Sequence, residues 1–311
     1  MIHEHPSWWV VDPSKLSTFT ECPRRYFYQY VLGWSPSGNS IHLEFGSAWH
    51  LAMEHLTWKL AEPGYSVKTA IIEAHGLLTE YYRRFFGPEL DDSHAPKNPA
   101  RALPALVQWV QEYSGECFVP LYTEIAGSVP ISQHRVLHFR MDAILEMEGL
   151  IRARDFKTAG QLSRSWIDQW HLSDQMMTYY HALRCLYPGE KVWGVEIDGA
   201  VFNKTKMQYH RVPVRPRPEM MNQWLWNANY HVDQIYENYW RLAEASEDDP
   251  SLEAFPQHRK SCTDYFGCPY FDFCLAWANP LRRCAETPFG FQIKFWDPRK
   301  ERENAKVIFD L

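Results

Sequence analysis

The chain has 311 residues, of which 45% are hydrophobic and 15% aromatic, enough for an ordered core and contrary to a disordered chain. Its formal net charge of -6 argues against a nonspecific DNA-coating protein, although a local basic strip can offset a carboxylate-rich site. No apolar run approaches the roughly 20 residues that cross a bilayer, and the start, MIHEHPSWWV, lacks the basic-then-apolar order of a secretory signal, so a cytoplasmic protein with no membrane partner is expected.

Residues 14–33, SKLSTFTECPRRYFYQYVLG, read as one helix capped by Ser17, with Pro23 near its first turn and Gly33 at its end. Residues 45–61 form a second, amphipathic helix, and 67–86 and 103–118 two more, separated by a polar, proline-containing loop at 87–100. From 131 to 160 the pattern alternates around Glu148-Gly149, the mark of a two-residue hairpin turn. A helix at 173–189 lies between Ser173 and the Pro188-Gly189 stop; a strand at 191–204 and a long helix at about 217–245 follow. Residues 246–256 are a linker into a cysteine-rich tail. This order gives an α/β fold, a mixed central sheet flanked by helices. One domain is expected, with a mainly helical part at 1–118, a core at 119–245 and the tail at 246–311.

The stretch KTKMQYHRVPVRPR, 204–217, holds Lys204, Lys206, Arg211, Arg215 and Arg217 and no acidic residue. It reads equally well as a solvated loop or as a phosphate-contacting DNA-binding strip.

The stretch RARDFKTAGQ, 152–161, places Asp155 and Lys157 on one face of a strand, because residues i and i+2 share a face. Alone, D-x-K is most simply a surface ion pair. The hairpin changes that reading, since a turn at Glu148-Gly149 sets Met147 across from Leu150 and Asp142 across from Asp155. Cross-strand partners have Cβ atoms about 4.5–5.5 Å apart, and two carboxylates that close repel unless a cation lies between them. Oxygen ligands suit Mg²⁺ or Mn²⁺. Such an ion activates water against a phosphate, and Lys157 would hold the water or stabilise the developing charge. That is phosphodiester hydrolysis.

Asp142 followed by DFKT at 155–158 resembles the core of the PD-(D/E)XK nuclease superfamily, and within it the RecB-type branch. GSAWH (46–50) is similar to that branch's G-x-x-x-H element, and QMMTY (175–179) to its Q-x-x-x-Y element, with Gln175 and Tyr179 at i and i+4 on one helix face. The resemblance implies a restriction-endonuclease-like fold. It implies a metal held by His50, Asp142, Asp155 and the Phe156 carbonyl, with Lys157 in catalysis and Gln175 and Tyr179 assisting. Glu124 is a further candidate. Phe139 stands where the family usually has glycine, three residues before the first aspartate, which bears on local backbone geometry and not on the ligands.

Seven cysteines in a cytoplasmic chain are not a disulfide framework. In CTDYFGCPYFDFC, Cys262, Cys268 and Cys274 are separated more widely than the two to four residues of a structural zinc pair. A fourth ligand is needed, and Cys284 and the distant Cys22 are the candidates; Cys117 and Cys185 read as ordinary thiols. Here too the resemblance chooses. One RecB-type subgroup, which includes AddB-type and CRISPR adaptation nucleases, holds a [4Fe-4S] cluster with one cysteine before the core and three after it. ECPRRYFYQY and GCPYFDFC are similar to those elements, which implies Cys22 as the fourth ligand, leaves Cys284 an ordinary thiol, and implies a cluster clipping the tail to the first helix.

The implied activity is that of a Mg²⁺- or Mn²⁺-dependent deoxyribonuclease, exonuclease-like, on single strands or DNA ends, in recombination, repair, phage DNA processing or CRISPR adaptation. No G-x-x-x-x-G-K-[ST] segment is present, so unwinding would come from a helicase or other DNA-processing partner. The alternative is a non-catalytic DNA-binding or scaffold subunit, against which the complete set of ligands argues.

Overall fold

The computed structural model describes residues 2–264, 267–300 and 307–310. After a 3-10 turn at Pro6–Trp9 come α1 (Pro13–Glu21), α2 (Pro23–Tyr26), which continues into a wider π turn at Phe27–Val31, and β1 (Trp34–Pro36). Helices α3 (Ile41–Ala61), α4 (Val67–Arg83), α5 (Asp91–His94) and α6 (Pro99–Glu112) complete the first third. Strands β2 (Val119–Ser132), β3 (Arg135–Met147) and β4 (Leu150–Ala159) follow, and then α7 (Arg164–Asp168) and α8 (Asp174–Leu186) lead to β5 (Val192–Phe202) and β6 (Met207–Val214). The chain ends with α9 (Pro218–Glu244), α10 (Phe271–Ala276), β7 (Phe291–Ile293) and β8 (Val307–Asp310).

The main sheet has the order β6-β5-β4-β3-β2-β8. Strands β2, β3 and β4 form an antiparallel meander, β5 joins β4 in parallel, β6 returns antiparallel, and the short β8 lies parallel to β2 at the far edge. The parallel β4–β5 step requires a crossover, and α7 and α8 supply it. One face of the sheet packs on α1, α8 and α9 through residues such as Leu16, Met177, Ile197 and Val232. The other packs on α3, α4 and α6 through Trp49, Leu78, Trp109, Phe156 and Phe202. The restriction-endonuclease-like sheet flanked by helices is therefore present. The tail returns to the start of the chain, where β7 pairs with β1, Trp34 facing Ile293.

The hairpin forms where the pattern placed it. Glu148 and Gly149 both have positive φ, 54° and 75°, as a two-residue type I′ turn requires, and Met147 faces Leu150.

Elsewhere the sequence reading needs correction. The expected single helix at 14–33 breaks at Cys22, whose backbone is extended (φ -159°, ψ 108°), because the Pro23 ring disfavours helical geometry in the residue before it. Its cap is Asp12, which accepts from the Lys15 amide at 2.9 Å, and Ser17 lies inside the helix. The α3 helix starts four residues before the expected Phe45. The helix expected at 103–118 is α6, which begins at Pro99 under an Asn98 cap and stops at Glu112. The first strand of the meander was not anticipated: Pro120, Gly127 and Pro130 interrupt its pattern, yet it pairs with β3 along most of its length. The basic strip is not a loop either, since its middle is edge strand β6. No helix among the described residues is long and apolar enough to cross a membrane.

Candidate active site

The β3–β4 ladder runs from Met147/Leu150 to Ala143/Arg154 and stops one step short of Asp142/Asp155. The two aspartates thus do not form the direct pair expected from the register. Instead Asp142 Oδ2 accepts the Phe156 amide at 2.8 Å, a side-chain acceptor taking the place of a strand carbonyl. Two carboxylates facing each other across a closed ladder would repel, and parting the strands at this point relieves that.

Helix α3 delivers His50. Its buried stripe of Phe45, Trp49, Met53 and Leu56 is locked against the sheet, with Phe45 and Trp49 edge-on to Phe202. This sets the helix rotation so that His50, at the border of the stripe, reaches the parted strands. Its Nδ1 lies 3.5 Å from Asp142 Oδ1 and its Nε2 contacts the Phe156 carbonyl oxygen. Lys157 Nζ lies 2.6 Å from Asp155 Oδ2, with the Trp170 ring centroid 5.8 Å away. Trp170 meets Trp166 edge-on, and Trp166 sits where a Cβ on Gly199 would be, so the glycine on β5 makes room for this aromatic pair.

The charges respond to this crowding. Burial pushes the Asp142 carboxyl above its ordinary pKa, with Asp155 adding to the rise and His50 and Lys157 opposing it. For Lys157, burial alone would lower the pKa, but the Asp155 and Asp142 carboxylates outweigh it and the net direction is upward. With these carboxylates alone around it the lysine is therefore charged.

Gln175 and Tyr179 act through the main chain. Gln175 Nε2 donates to the Tyr179 hydroxyl at 2.8 Å, and that hydroxyl donates to the Arg140 carbonyl. The pair pins β3 two residues before Asp142. Burial, together with the charges of Asp155 and Asp142, holds the Tyr179 phenol well above its ordinary pKa, so it remains a donor. Glu124, on β2, has a left-handed backbone with φ 48°. It is buried, and it accepts from Arg140 Nε at 2.9 Å and from Arg140 Nη2. Sequence reasoning missed Arg140, although i, i+2 spacing from Asp142 on one strand was a usable signal.

These groups form the floor of a cleft of about 780 Å³, with α3 and α4 residues such as Leu51, Leu77 and Tyr81 on one side and Pro13, Trp296 and Pro298 on the other. Among the described residues, no three His, Cys, Asp or Glu side chains are already gathered on one point as a metal-ligand set. The donors nevertheless suit a hard divalent cation. Asp155 is 1% exposed, its ion pair with Lys157 is close but poorly directed, and neither of its buried carboxylate oxygens receives a hydrogen bond of normal geometry. Lys157 neutralises this buried carboxylate from one side, and the acceptor sites that its ammonium leaves unfilled suit a metal ion.

The cysteines fall into two groups. The break between α1 and α2 leaves Cys22 buried, with its Sγ accepting the His258 amide at 3.5 Å. The Arg24 guanidinium holds the tail there through the carbonyls of Leu252 at 2.8 Å and Phe255 at 2.9 Å. Cys268 donates its amide to the Cys262 carbonyl at 2.9 Å. Burial raises the Cys268 thiol pKa, and the charges of Cys22 and Cys262 add to it. Burial likewise pushes Cys274 up to about 11, with Cys22, Cys268 and Cys262 contributing. Cys284 stands apart: its Sγ donates to the Pro280 carbonyl at 3.1 Å, and burial with Glu247, not another cysteine, pushes it up to about 12. Cys117 and Cys185 are exposed.

The basic strip is also divided. Lys204, Lys206, Arg215 and Arg217 are exposed. Arg211 is not, which corrects its assignment to a DNA-contacting surface. Its Nε donates to Asp198 at 3.0 Å, it pairs with Glu116, and it lies 3.5 Å over the Tyr113 ring. Burial lowers its pKa to about 10 and pushes its partner Asp198 up to about 6.

No curated protein sequence matches this chain. A solved structure titled "Crystal structure of SSO0001" aligns with 74% of this chain and 78% of its own at 11% identity and a TM-score of 0.33, a similarity too low to inform the site. A sequence-family model described as the PD-(D/E)XK nuclease superfamily matches residues 11–275, which takes in His50, Asp142, Asp155, Lys157, Gln175 and Tyr179. With most of its length matched and its sheet of the expected kind, the chain belongs to the PD-(D/E)XK nuclease superfamily.

Proposed function

We propose that this nuclease is a Mg²⁺- or Mn²⁺-dependent deoxyribonuclease that digests single-stranded DNA or frayed DNA ends. The observation that carries the reading is Asp155, whose buried oxygens receive no well-directed hydrogen bond beside a parted strand pair and a charged Lys157. His50, Asp142, Asp155 and the Phe156 carbonyl would hold the ion. When bound, the ion polarises the phosphate and lowers the pKa of a coordinated water. Lys157, kept protonated by two carboxylates, stabilises charge developing on the phosphate. Tyr179 and Gln175 fix the strand that carries Asp142. Exposed Lys204, Lys206, Arg215 and Arg217 add phosphate contacts outside the cleft.

We further propose that Cys22, Cys262, Cys268 and Cys274 hold a [4Fe-4S] cluster, as in the RecB-type subgroup. What supports this is that burial raises the thiols of Cys268 and Cys274, with Cys22 among the neighbours that add to both rises, and thiols so raised ionise readily only beside a cation. The cluster is structural, tying the tail to the α1–α2 break so that the whole chain works as one nuclease unit. Unwinding falls to a helicase or other DNA-processing partner in the cytoplasm.

The test is digestion of end-labelled linear single strands, linear duplexes and closed circles with Mg²⁺, with Mn²⁺ and with chelator. Metal-dependent loss of the linear single strand, with circles spared, is expected. Cutting of circles would replace the exonuclease reading by an endonuclease one, and no cutting of any substrate would remove the nuclease reading for this chain.

A further inference from the structure

One wall of the cleft comes from the tail, beyond the stretch matched to the superfamily. Trp296 and Pro298 stand there, opposite Leu51 on α3 and Leu77 on α4, above the floor that carries Asp142, Asp155 and Lys157.

A series of contacts holds this piece of tail in place. Strand β7 pairs with β1, and the Lys294 amide donates to the Gly33 carbonyl at 2.7 Å. Gly33 has φ 69°, and a Cβ there would lie 3.1 Å from the Phe295 ring, so the glycine lets the tail cross close above it. Phe295 stacks on His5, with ring centroids 3.9 Å apart. Asp12 then divides its carboxylate. Its Oδ1 caps α1 by accepting the Lys15 amide at 2.9 Å, and its Oδ2 accepts the Trp296 indole N–H, also at 2.9 Å. The indole is thus pinned by its one polar atom, while its ring is half-buried in the cleft wall. No other ring among the described residues stacks on it.

The floor suits a metal and a phosphate and offers nothing flat and apolar to a base. The walls do. Tyr81, across the cleft, is already engaged: its ring packs on Phe85 with centroids 5.3 Å apart, and its hydroxyl donates to Glu44 at 3.2 Å. Trp296 has no such ring partner. The cleft, about 780 Å³, is the size of site that encloses a small ligand, which suits a few nucleotides of one strand.

Resting on the nuclease reading above, we propose that Trp296 is a substrate-binding residue, its indole stacked on a base of the single strand whose phosphate lies over the Asp142–Asp155 floor. Leu51 and Leu77 give the bases an apolar wall opposite. The tail is then part of the active site as well as a strap. A grip by stacking is indifferent to sequence, because every base has a π face.

The experiment uses the full chain in chelator and again in Ca²⁺, with fluorescence anisotropy of a labelled single strand followed across a salt series. Trp296→Leu keeps apolar bulk and loses the flat ring. It should weaken binding about tenfold, within the range of one base–aromatic stack, and leave the salt slope unchanged, since no phosphate contact is lost. Trp296→Phe loses the bond to Asp12 but keeps a ring, and should stay within about threefold of wild type. A strap role alone predicts equal losses, because both variants give up the Asp12 bond. Walking a single abasic position along the strand should find one that costs the wild type about tenfold and Trp296→Leu nothing. With iodouracil at that position, photocrosslinking of the wild type should label Trp296 in the tryptic peptide 295–299.

Equal affinities of wild type and Trp296→Leu, or equal losses in the Leu and Phe variants, would overturn the stack. So would a crosslink that falls elsewhere, or an abasic scan of the wild type with no sensitive position; both stand even if Trp296→Leu does not fold. Wild-type protein that neither binds nor cuts DNA would instead defeat the nuclease reading, an outcome distinct from a cutting enzyme indifferent to Trp296.

Discussion

Replacing Asp155 by asparagine keeps the side chain's shape and removes its charge, which separates the two roles assigned to it. In the wild type its Oδ2 lies 2.6 Å from Lys157 Nζ at a site where Asp155 is 1% exposed. Removing one partner of a buried ion pair costs about 3–5 kcal/mol, because the other charge is left uncompensated. Asp142 still faces the lysine, and its repulsion with Asp155 is gone, so the expected loss by urea unfolding is about 3 kcal/mol, at the low end of that range. Cleavage of an end-labelled single strand at saturating Mn²⁺ should fall at least a hundredfold, as when one preorganised charge is removed from an active site. The double variant Asp155→Asn/Lys157→Met makes the comparison sharper. With both charges removed its stability should return to within about 1 kcal/mol of wild type, since a buried pair adds little over neutral groups of similar size, and its activity should stay lost. Recovery of cleavage with recovery of stability would refute the reasoning, for the pair would then be only a structural element.

Lys97 is 7% exposed, its nearest described partner is Thr158 Oγ1 at 3.4 Å, and burial lowers its pKa to about 8. Moving a lysine there from 10.5 costs on the order of 3 kcal/mol, at about 1.4 kcal/mol for each unit of pKa. The unfolded chain binds the extra proton between pH 8 and 10.5, so stability is lowest below pH 8 and rises with pH through that window. Lys97→Met should therefore be more stable than wild type at pH 7, with the difference shrinking above pH 8 in pH-dependent unfolding; a constant difference would contradict this. For the cluster, Cys22→Ser and Cys268→Ser should both lose iron and become sensitive to proteolysis in the tail, and Cys284→Ser should do neither. The opposite pattern of iron content would make the ligand set local to the tail. Neutralising Lys204, Lys206, Arg215 and Arg217 together should flatten the salt dependence of DNA binding by about 0.7 for each lost contact. Arg211→Ala should lower stability instead, by leaving Glu116 and Asp198 without their shared cation.

The site was legible in the sequence to the extent that its chemistry follows strand and helix periodicity. Glu148-Gly149 demanded a tight turn, and from it the positions of Asp142, Asp155 and Lys157 followed by counting. The parting of the ladder did not follow, because it comes from repulsion and from the Phe156 amide choosing a side chain over a main-chain acceptor. Strand β2 was hidden by its prolines and glycine, and with it the reason that Glu124 meets Arg140. Arg211 misled for a similar reason. Charge runs say nothing about which side of an edge strand a residue occupies, and alternation along β6 turns Arg211 toward Asp198 and Tyr113. At Cys22 a proline at 23 was legible and its effect, an extended break that faces the tail, was not drawn from helix periodicity.

Whether this chain is a metal-dependent nuclease turns on the rate at which Lys157→Ala cleaves a linear single strand with saturating Mn²⁺, set beside the wild type in the same buffer and in chelator. Lys157 is the one charged group here assigned to the reaction itself and not to holding the metal. Wild-type cleavage should stop on chelation, and the Lys157→Ala rate should be at least a hundredfold lower, as expected when a preorganised charge is withdrawn from the transition state. A Lys157→Ala rate equal to that of the wild type would contradict it.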